Sequence, residues 1–172
     1  MFVCAGKSEQ FRFALPIGIG MVESAVTLTR ICEAQKPEHL IFVGTAGSYG
    51  EKGIFEIIES RVASNIEQSF FQGNAYTPID NVIASVEDVS KEIVVNSSNY
   101  ITTNKALWSA YRAENIHIEN MEFFAVMKVA QMYAIPVVGI FIVTNYCDEN
   151  AHEDFKKNHA EAMQRLDAYI KQ

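Results

Sequence analysis

MEFFAVMKVAQMYAIPVVGIFIVTN, residues 121–145, sets a helix and a strand in direct succession. From Glu122 to Tyr133 the pattern predicts a helix, and Phe123, Phe124 and Met127 fall at the spacing of side chains that pack into a core or a subunit interface. Ile135 to Thr144 is an unbroken apolar run, the pattern of a strand covered on both faces. A buried strand directly after a packed helix is the repeating unit of an α/β protein.

Working outward, the same alternation continues. Phe2 to Ala5 and Phe11 to Ile17 read as strands, and Gly18 with Gly20 as a tight turn. Val22, Ala25, Val26, Leu28, Thr29 and Ile31 or Cys32 recur at helical spacing from Met21 to Ala34, with Pro37 just beyond. His39 to Val43 is an apolar strand running into Gly44-Thr45-Ala46-Gly47-Ser48, read as a turn with glycines where the backbone approaches something closely. Ile54 to Ala63, Asn81 to Ala84 and Glu92 to Val95 follow as strands, and Lys105 to Ala113 as a helix. Asn150 with Glu153 fits a capping box for a last helix to about Ile170. No repeat or low-complexity linker interrupts the series. The expectation is one α/β domain over residues 1–172, with a central mixed β-sheet flanked by helices.

Composition bounds the function. At 172 residues and 49% hydrophobic the chain can fill one core and is short for two domains. A net charge of -7, from 14 Lys plus Arg against 21 Asp plus Glu, argues against phosphate-backbone binding, so no nucleic-acid partner is expected. Cys4, Cys32 and Cys147 form no close-spaced pair, and an odd count suits a reducing cytoplasm. No signal segment and no apolar run of about 18 residues points to export or a membrane.

In open α/β sheets ligands sit beyond the carboxyl ends of strands. Glu122, a carboxylate at a helix start, accepts hydrogen bonds only and suits two adjacent ribose hydroxyls. Asn145, at the end of a buried strand, donates and accepts at once and suits a purine edge. Thr45 and the backbone of Ala46 and Gly47 can meet an anion or a heterocycle. Together these residues describe a crevice for a purine nucleoside.

Gly18-Ile19-Gly20 before a helix, Gly44-Thr45-Ala46-Gly47-Ser48, Met121-Glu122 and Val143-Thr144-Asn145 occur in the order seen in the nucleoside phosphorylase and nucleoside hydrolase superfamily. Over nearly its whole length the chain resembles a short purine nucleoside phosphorylase, and is similar also to methylthioadenosine nucleosidases. The resemblance implies that Glu122 holds the ribose hydroxyls, that Met121 packs on the sugar, and that Tyr100 stacks on the base beside backbone contacts from Ile101. It places Ala46 and Gly47 under the base and Thr45 near phosphate or the attacking water. Asn145 stands where nucleosidases and hexameric phosphorylases carry a proton-donating aspartate. Trimeric phosphorylases specific for 6-oxopurines are similar to this chain in using asparagine there, where it stabilises the departing base. The expected activity is therefore that of a purine nucleoside phosphorylase, a pentosyltransferase of purine salvage. It would need no cofactor, take phosphate as co-substrate and act as a cytoplasmic homo-oligomer. Hydrolysis by water, or nucleoside binding without turnover, are the alternatives.

Two departures bear on that choice. Phe42 occupies the position of the arginine that hexameric phosphorylases carry before the glycine turn, which leaves Lys7, Arg12, Arg30 or a neighbouring subunit to hold phosphate. The N-terminal region is also compressed, and Glu9 falls where nucleosidases keep the carboxylate that activates water. Gly6-Lys7-Ser8 lacks the leading glycine of a P-loop. Cys147, Asp148, His152 and His159 match no common metal spacing, so no metal site is expected.

Overall fold

The computed structural model describes residues 1–172 and arranges them as nine strands and five α-helices. In chain order these are β1 (Phe2–Cys4), β2 (Leu15–Pro16), α1 (Gly20–Gln35), β3 (Leu40–Ser48), β4 (Ile57–Ser60), β5 (Val62–Ser64) and α2 (Gln68–Phe71). Then follow β6 (Val82–Ala84), β7 (Val94–Ser97), α3 (Trp108–Ala113), β8 (Ile116–Asn120), α4 (Phe123–Met132), β9 (Val137–Tyr146) and α5 (Ala151–Ile170). The pairing mixes parallel and antiparallel ladders, so the expected α/β architecture with a central mixed sheet is present.

β3 organises the sheet. β9 pairs with it in parallel along its full length, from Leu40↔Val137 to Ser48↔Tyr146. A strand has only two edges, so every further partner shares the other one. β1 takes the first half there, at Phe2↔Ile41 and Val3↔Phe42, and β8 joins antiparallel at the end, at Gly47↔Glu119 and Ser48↔Ile118. Between them residues 43–46 have no strand on that edge. The sheet therefore splits, and the middle of β3 becomes the floor of a crevice between β1 and β8.

Alternation along the two central strands divides the core. Phe42, Phe141 and Val143 point to a cluster built with Leu28 and Cys32 of α1 and Phe123, Val126 and Met127 of α4. Val43, Ile140 and Ile142 point to the opposite face, where Ala162 and Leu166 of α5 cover them. Because a strand's side chains alternate, a strand covered on both faces must be apolar throughout. That is why β9 reads as one continuous run.

Several expectations need correction. Gly44 to Ser48 is not a turn: it stays in β3, held extended by β9. Of Phe11 to Ile17 only Leu15–Pro16 is strand. Ile54 to Ala63 is two strands, because β4 pairs with β9 whereas β5 pairs with β6 and β7. α1 buries Gly20, Ser24, Leu28 and Cys32, at spacing four, and leaves Val22 and Val26 70% and 57% exposed, so its inward stripe is not the most apolar one. The Asn150 side chain makes no cap; its backbone N–H donates to Asp148 at 2.9 Å, and Glu153 pairs with Lys156. β8, which the apolar pattern did not single out, supplies one wall of the crevice.

Candidate active site

The turn at Met121-Glu122 is fixed by two side chains that satisfy the open end of α4. Asn120 Oδ1 accepts the Ser97 hydroxyl at 2.8 Å and the Phe123 N–H at 3.3 Å, and Ser97 Oγ accepts the Phe124 N–H at 2.9 Å. The first helical N–H groups have no partner within the helix, so these bonds stabilise its start. They also turn Glu122 inward, where it is 6% exposed rather than solvated. Its Oε1 accepts the Gly20 N–H at 2.9 Å, and its Oε2 accepts from Asn120 Nδ2 and the Met121 N–H, each at 3.2 Å. Burial pushes this carboxyl up to about 7, with the nearby Glu9 charge adding to the rise and the Gly20 N–H opposing it.

Glu9 enters the crevice from the loop after β1. It accepts the Thr45 backbone N–H at 3.1 Å and also the Thr45 hydroxyl. That N–H is free because β3 has no neighbour there. Gly44 makes the approach possible, since a Cβ on it would lie 2.9 Å from Glu9 Oε2. Burial raises the Glu9 carboxyl above its ordinary range, against the two Thr45 hydrogen bonds that favour its charge.

Asn145 is aimed by a bulge. Ala46 pairs with Val143 but Gly47 pairs with Asn145, so Thr144 is an extra residue on β9, and such insertions re-aim the side chains that follow. The Thr144 hydroxyl donates to Asn145 Oδ1 at 2.9 Å, and Asn145 Nδ2 donates to the Tyr146 carbonyl at 3.1 Å, leaving one amide hydrogen uncommitted. Gly47 lies between Asn145 and Glu119 in the sheet. A Cβ on it would lie 2.9 Å from Cys147 Sγ and 3.0 Å from Asn145 Nδ2.

These groups line one cavity of about 280 Å³. It brings together Glu9, Thr45, Ala46, Gly47, Tyr100, Ile101, Met121, Glu122 and Asn145, the residues the sequence suggested for nucleoside and water, but none of the basic residues suggested for phosphate. Sequence reasoning missed Glu119 and Asn120 at the end of β8, and His152 and Phe155 on the first turns of α5. Phe155 carried a signal, standing four residues after buried Ala151 as Leu166 stands four after Ala162, whereas the exposed His152 carried none. Glu119 carried none, because a carboxylate on a short strand reads as solvent-facing.

The cavity wall holds three carboxylates, from Glu9, Glu119 and Glu122, and no lysine or arginine. Lys7, Arg12 and Arg30, the candidate phosphate donors, are exposed and lie outside that lining. Phe42 is fully buried, packed against Phe123 and Phe141. Among this chain's own lining residues a phosphate dianion would face like charges without a compensating cation.

The phosphorylase superfamily profile matches residues 79–172. No curated protein sequence matches the chain. Among solved structures, a futalosine hydrolase mutant of Helicobacter pylori superposes with TM-score 0.82 at 17% identity, over 99% of this chain and 95% of that one. An Asp-to-Asn mutant of the Helicobacter pylori methylthioadenosine nucleosidase, with 5'-methylthioadenosine in its active site, gives TM-score 0.78 at 19% identity, over 92% and 77%. The 5'-methylthioadenosine/S-adenosylhomocysteine nucleosidase of Streptococcus pneumoniae, with a transition-state inhibitor, gives 0.78 at 15%, over 98% and 95%. Such identities establish a common fold. The expected phosphorolysis is corrected: the structures named above are nucleosidases and a hydrolase, not pentosyltransferases, and the cavity wall of this chain offers phosphate no cation.

Proposed function

Because the chain belongs to the phosphorylase superfamily, we propose that it is a nucleosidase, hydrolysing the N-glycosidic bond of a purine nucleoside without phosphate. The observation that carries this reading is the Glu9 carboxylate seated on both the N–H and the hydroxyl of Thr45, in a cavity shared with Glu122.

The chemistry follows from the placement of charge. Glu122 takes the ribose hydroxyls as an acceptor, and Met121 packs against the sugar. The base lies over Gly47, against Tyr100, Ile101 and Phe155. As the glycosidic bond breaks, positive charge grows on the ribose, and carboxylates in a partly desolvated cavity stabilise it. Glu9 takes the proton from the attacking water, and a carboxyl raised by burial is the stronger base. The free amide hydrogen of Asn145 meets a ring nitrogen of the departing base.

A second reading rests on Asn145. An amide does not give up a proton, and the Helicobacter pylori Asp-to-Asn mutant holds 5'-methylthioadenosine in its active site. This chain would then retain nucleoside with slow turnover or none. Release of free base from 5'-methylthioadenosine, futalosine, adenosine and inosine, with and without phosphate, separates the readings. Phosphate-independent release with oxygen from labelled water in the sugar supports the nucleosidase. Tight binding with no release supports retention, and release that requires phosphate rejects both.

A further inference from the structure

Glu119 is 6% exposed, and no lysine or arginine lines the cavity it shares. A carboxylate buried without a cation is costly unless hydrogen bonds surround it. Its Oε1 accepts the Thr102 backbone N–H at 2.8 Å, and its Oε2 accepts the Thr102 hydroxyl at 2.7 Å and the Tyr49 hydroxyl at 2.5 Å. Two of the three bonds therefore go to a single residue of the loop between β7 and α3.

That loop forms one lip of the cavity. Its first part is tied at two points: the Ser98 N–H donates to the Asn120 carbonyl at 3.2 Å, and Asn99 Oδ1 accepts the Met21 N–H at 3.1 Å. Tyr100 and Ile101 then project with 83% and 52% exposure, and Thr102 returns to the interior at 2%. Residues 101–103 are tied to the body of the protein through Thr102, whose N–H and hydroxyl both donate to Glu119 and whose side chain also meets the Tyr111 hydroxyl. Tyr100 and Ile101 are thus suspended between two anchors, and the second anchor is Glu119. The peptide unit is planar and trans, so fixing the Thr102 N–H also fixes the direction of the Ile101 carbonyl.

We propose that Glu119 is a positioning residue for base recognition: by holding both donors of Thr102 it sets the Tyr100-Ile101 lip against which the base packs. The proposal rests on the nucleosidase reading for the identity of the ligand, and on this hydrogen-bond arrangement for the role. Glu119 also adjoins Gly47 in the sheet, so the carboxylate that holds the lip is built into the strand pairing of the cavity floor.

The experiment compares wild type with Glu119→Gln, Thr102→Val and Thr102→Ser. Glu119→Gln keeps the volume but turns one acceptor into a donor facing other donors, and Thr102→Val removes one donor at constant shape. Both are expected to raise KM for 5'-methylthioadenosine about ten-fold, the loss of one charge-assisted hydrogen bond, with kcat within about three-fold. Amide exchange at residue 102 should quicken most in Glu119→Gln, which disturbs the acceptor of that N–H, and less in Thr102→Val, which loses only the hydroxyl bond that helps hold it; Thr102→Ser, which keeps both donors, should restore KM and protection. A fall in kcat at constant KM, or unchanged protection of Thr102 in both Glu119→Gln and Thr102→Val, would overturn the role. If Glu119→Gln does not fold, Thr102→Val and Thr102→Ser decide it alone. Exchange and the calorimetric Kd for 5'-methylthioadenosine need no turnover. An inactive wild type therefore removes the nucleosidase reading, while these two measurements still decide the role of Glu119.

Discussion

Glu122 accepts the backbone N–H of Gly20 at 2.9 Å, joining the start of α4 to the start of α1 across 102 positions of sequence. The positive end of α1 is thereby directed at a carboxylate that also faces the cavity. If this group holds the ribose, Glu122→Gln should keep the Gly20 bond through its carbonyl oxygen and lose one acceptor for the diol. Base release is expected to fall about 100-fold, the scale of losing one preorganised electrostatic contact. A loss of only a few-fold in steady-state assays on folded variant would remove the ribose assignment.

The same carboxyl should make stability depend on pH. Its folded value of about 7 lies above its ordinary 4.5, so between those limits the folded state keeps a proton that the unfolded chain has released. Stability from this group is therefore full below about pH 4.5 and is lost as pH rises through 7. The total is roughly 3 kcal/mol at 1.36 kcal/mol per pH unit. Urea denaturation at pH 5 to 8 should show wild type losing stability relative to Glu122→Gln, and parallel pH curves would contradict the burial argument. Nucleoside affinity should run the other way, weakening below pH 7 as the acceptor is protonated.

Glu9→Gln tests the water. The amide retains the shape of the contact with Thr45 but cannot take a proton. Base release should fall about 10²- to 10⁴-fold, the usual contribution of a general base, while the calorimetric Kd for 5'-methylthioadenosine stays within a few-fold. Equal losses in binding and turnover would instead make Glu9 a binding group.

Gly47→Ala tests the cavity floor. Cβ contacts of 2.9 Å to Cys147 Sγ and 3.0 Å to Asn145 Nδ2 force one neighbour to move, and the Cys147 side is fully buried. Overpacking of this kind costs about 1–3 kcal/mol. Thermal unfolding should register that loss, and nucleoside affinity should fall with it because Asn145 is the more easily displaced. Unchanged affinity would place the base elsewhere in the cavity.

How much of this was legible in the sequence follows from what each residue's period reveals. β9 was readable because burial on both faces leaves an unbroken apolar run, and α4 because its first five residues, Phe123 to Met127, are apolar and all buried. Glu122 and Asn145 were readable because polar residues punctuate those runs at their ends. The splitting of the sheet was not, since it depends on β1 and β8 sharing one edge of β3, a fact about strand pairing that no local pattern encodes. The glycines of β3 misled for a related reason. Gly44 and Gly47 are needed for the absence of a side chain beside Glu9 and Asn145, not for a turn, and sequence alone does not separate those uses. Phe42 was read as standing where a phosphate-holding arginine would be, and its partners Phe123 and Phe141 show that the position belongs to the core.

Asn145→Asp addresses the leaving base. In the wild type the Thr144 hydroxyl donates to Asn145 Oδ1, so an aspartate would keep that bond through one oxygen. Its second oxygen would replace Nδ2 and face the Tyr146 carbonyl, now at 3.1 Å, an arrangement of two acceptors that is relieved when the carboxyl carries a proton. Burial acts in the same direction, because Asn145 is 7% exposed. The variant should therefore hold a protonated carboxyl at the cavity wall, ready to donate to the base nitrogen. Base release from 5'-methylthioadenosine is expected to rise at least about ten-fold, within the ordinary range for a positioned general acid, and to fall at high pH where wild type does not. A rate and pH profile identical to wild type would mean that residue 145 does not meet the departing base, and the orientation of the nucleoside in the cavity would have to be reversed.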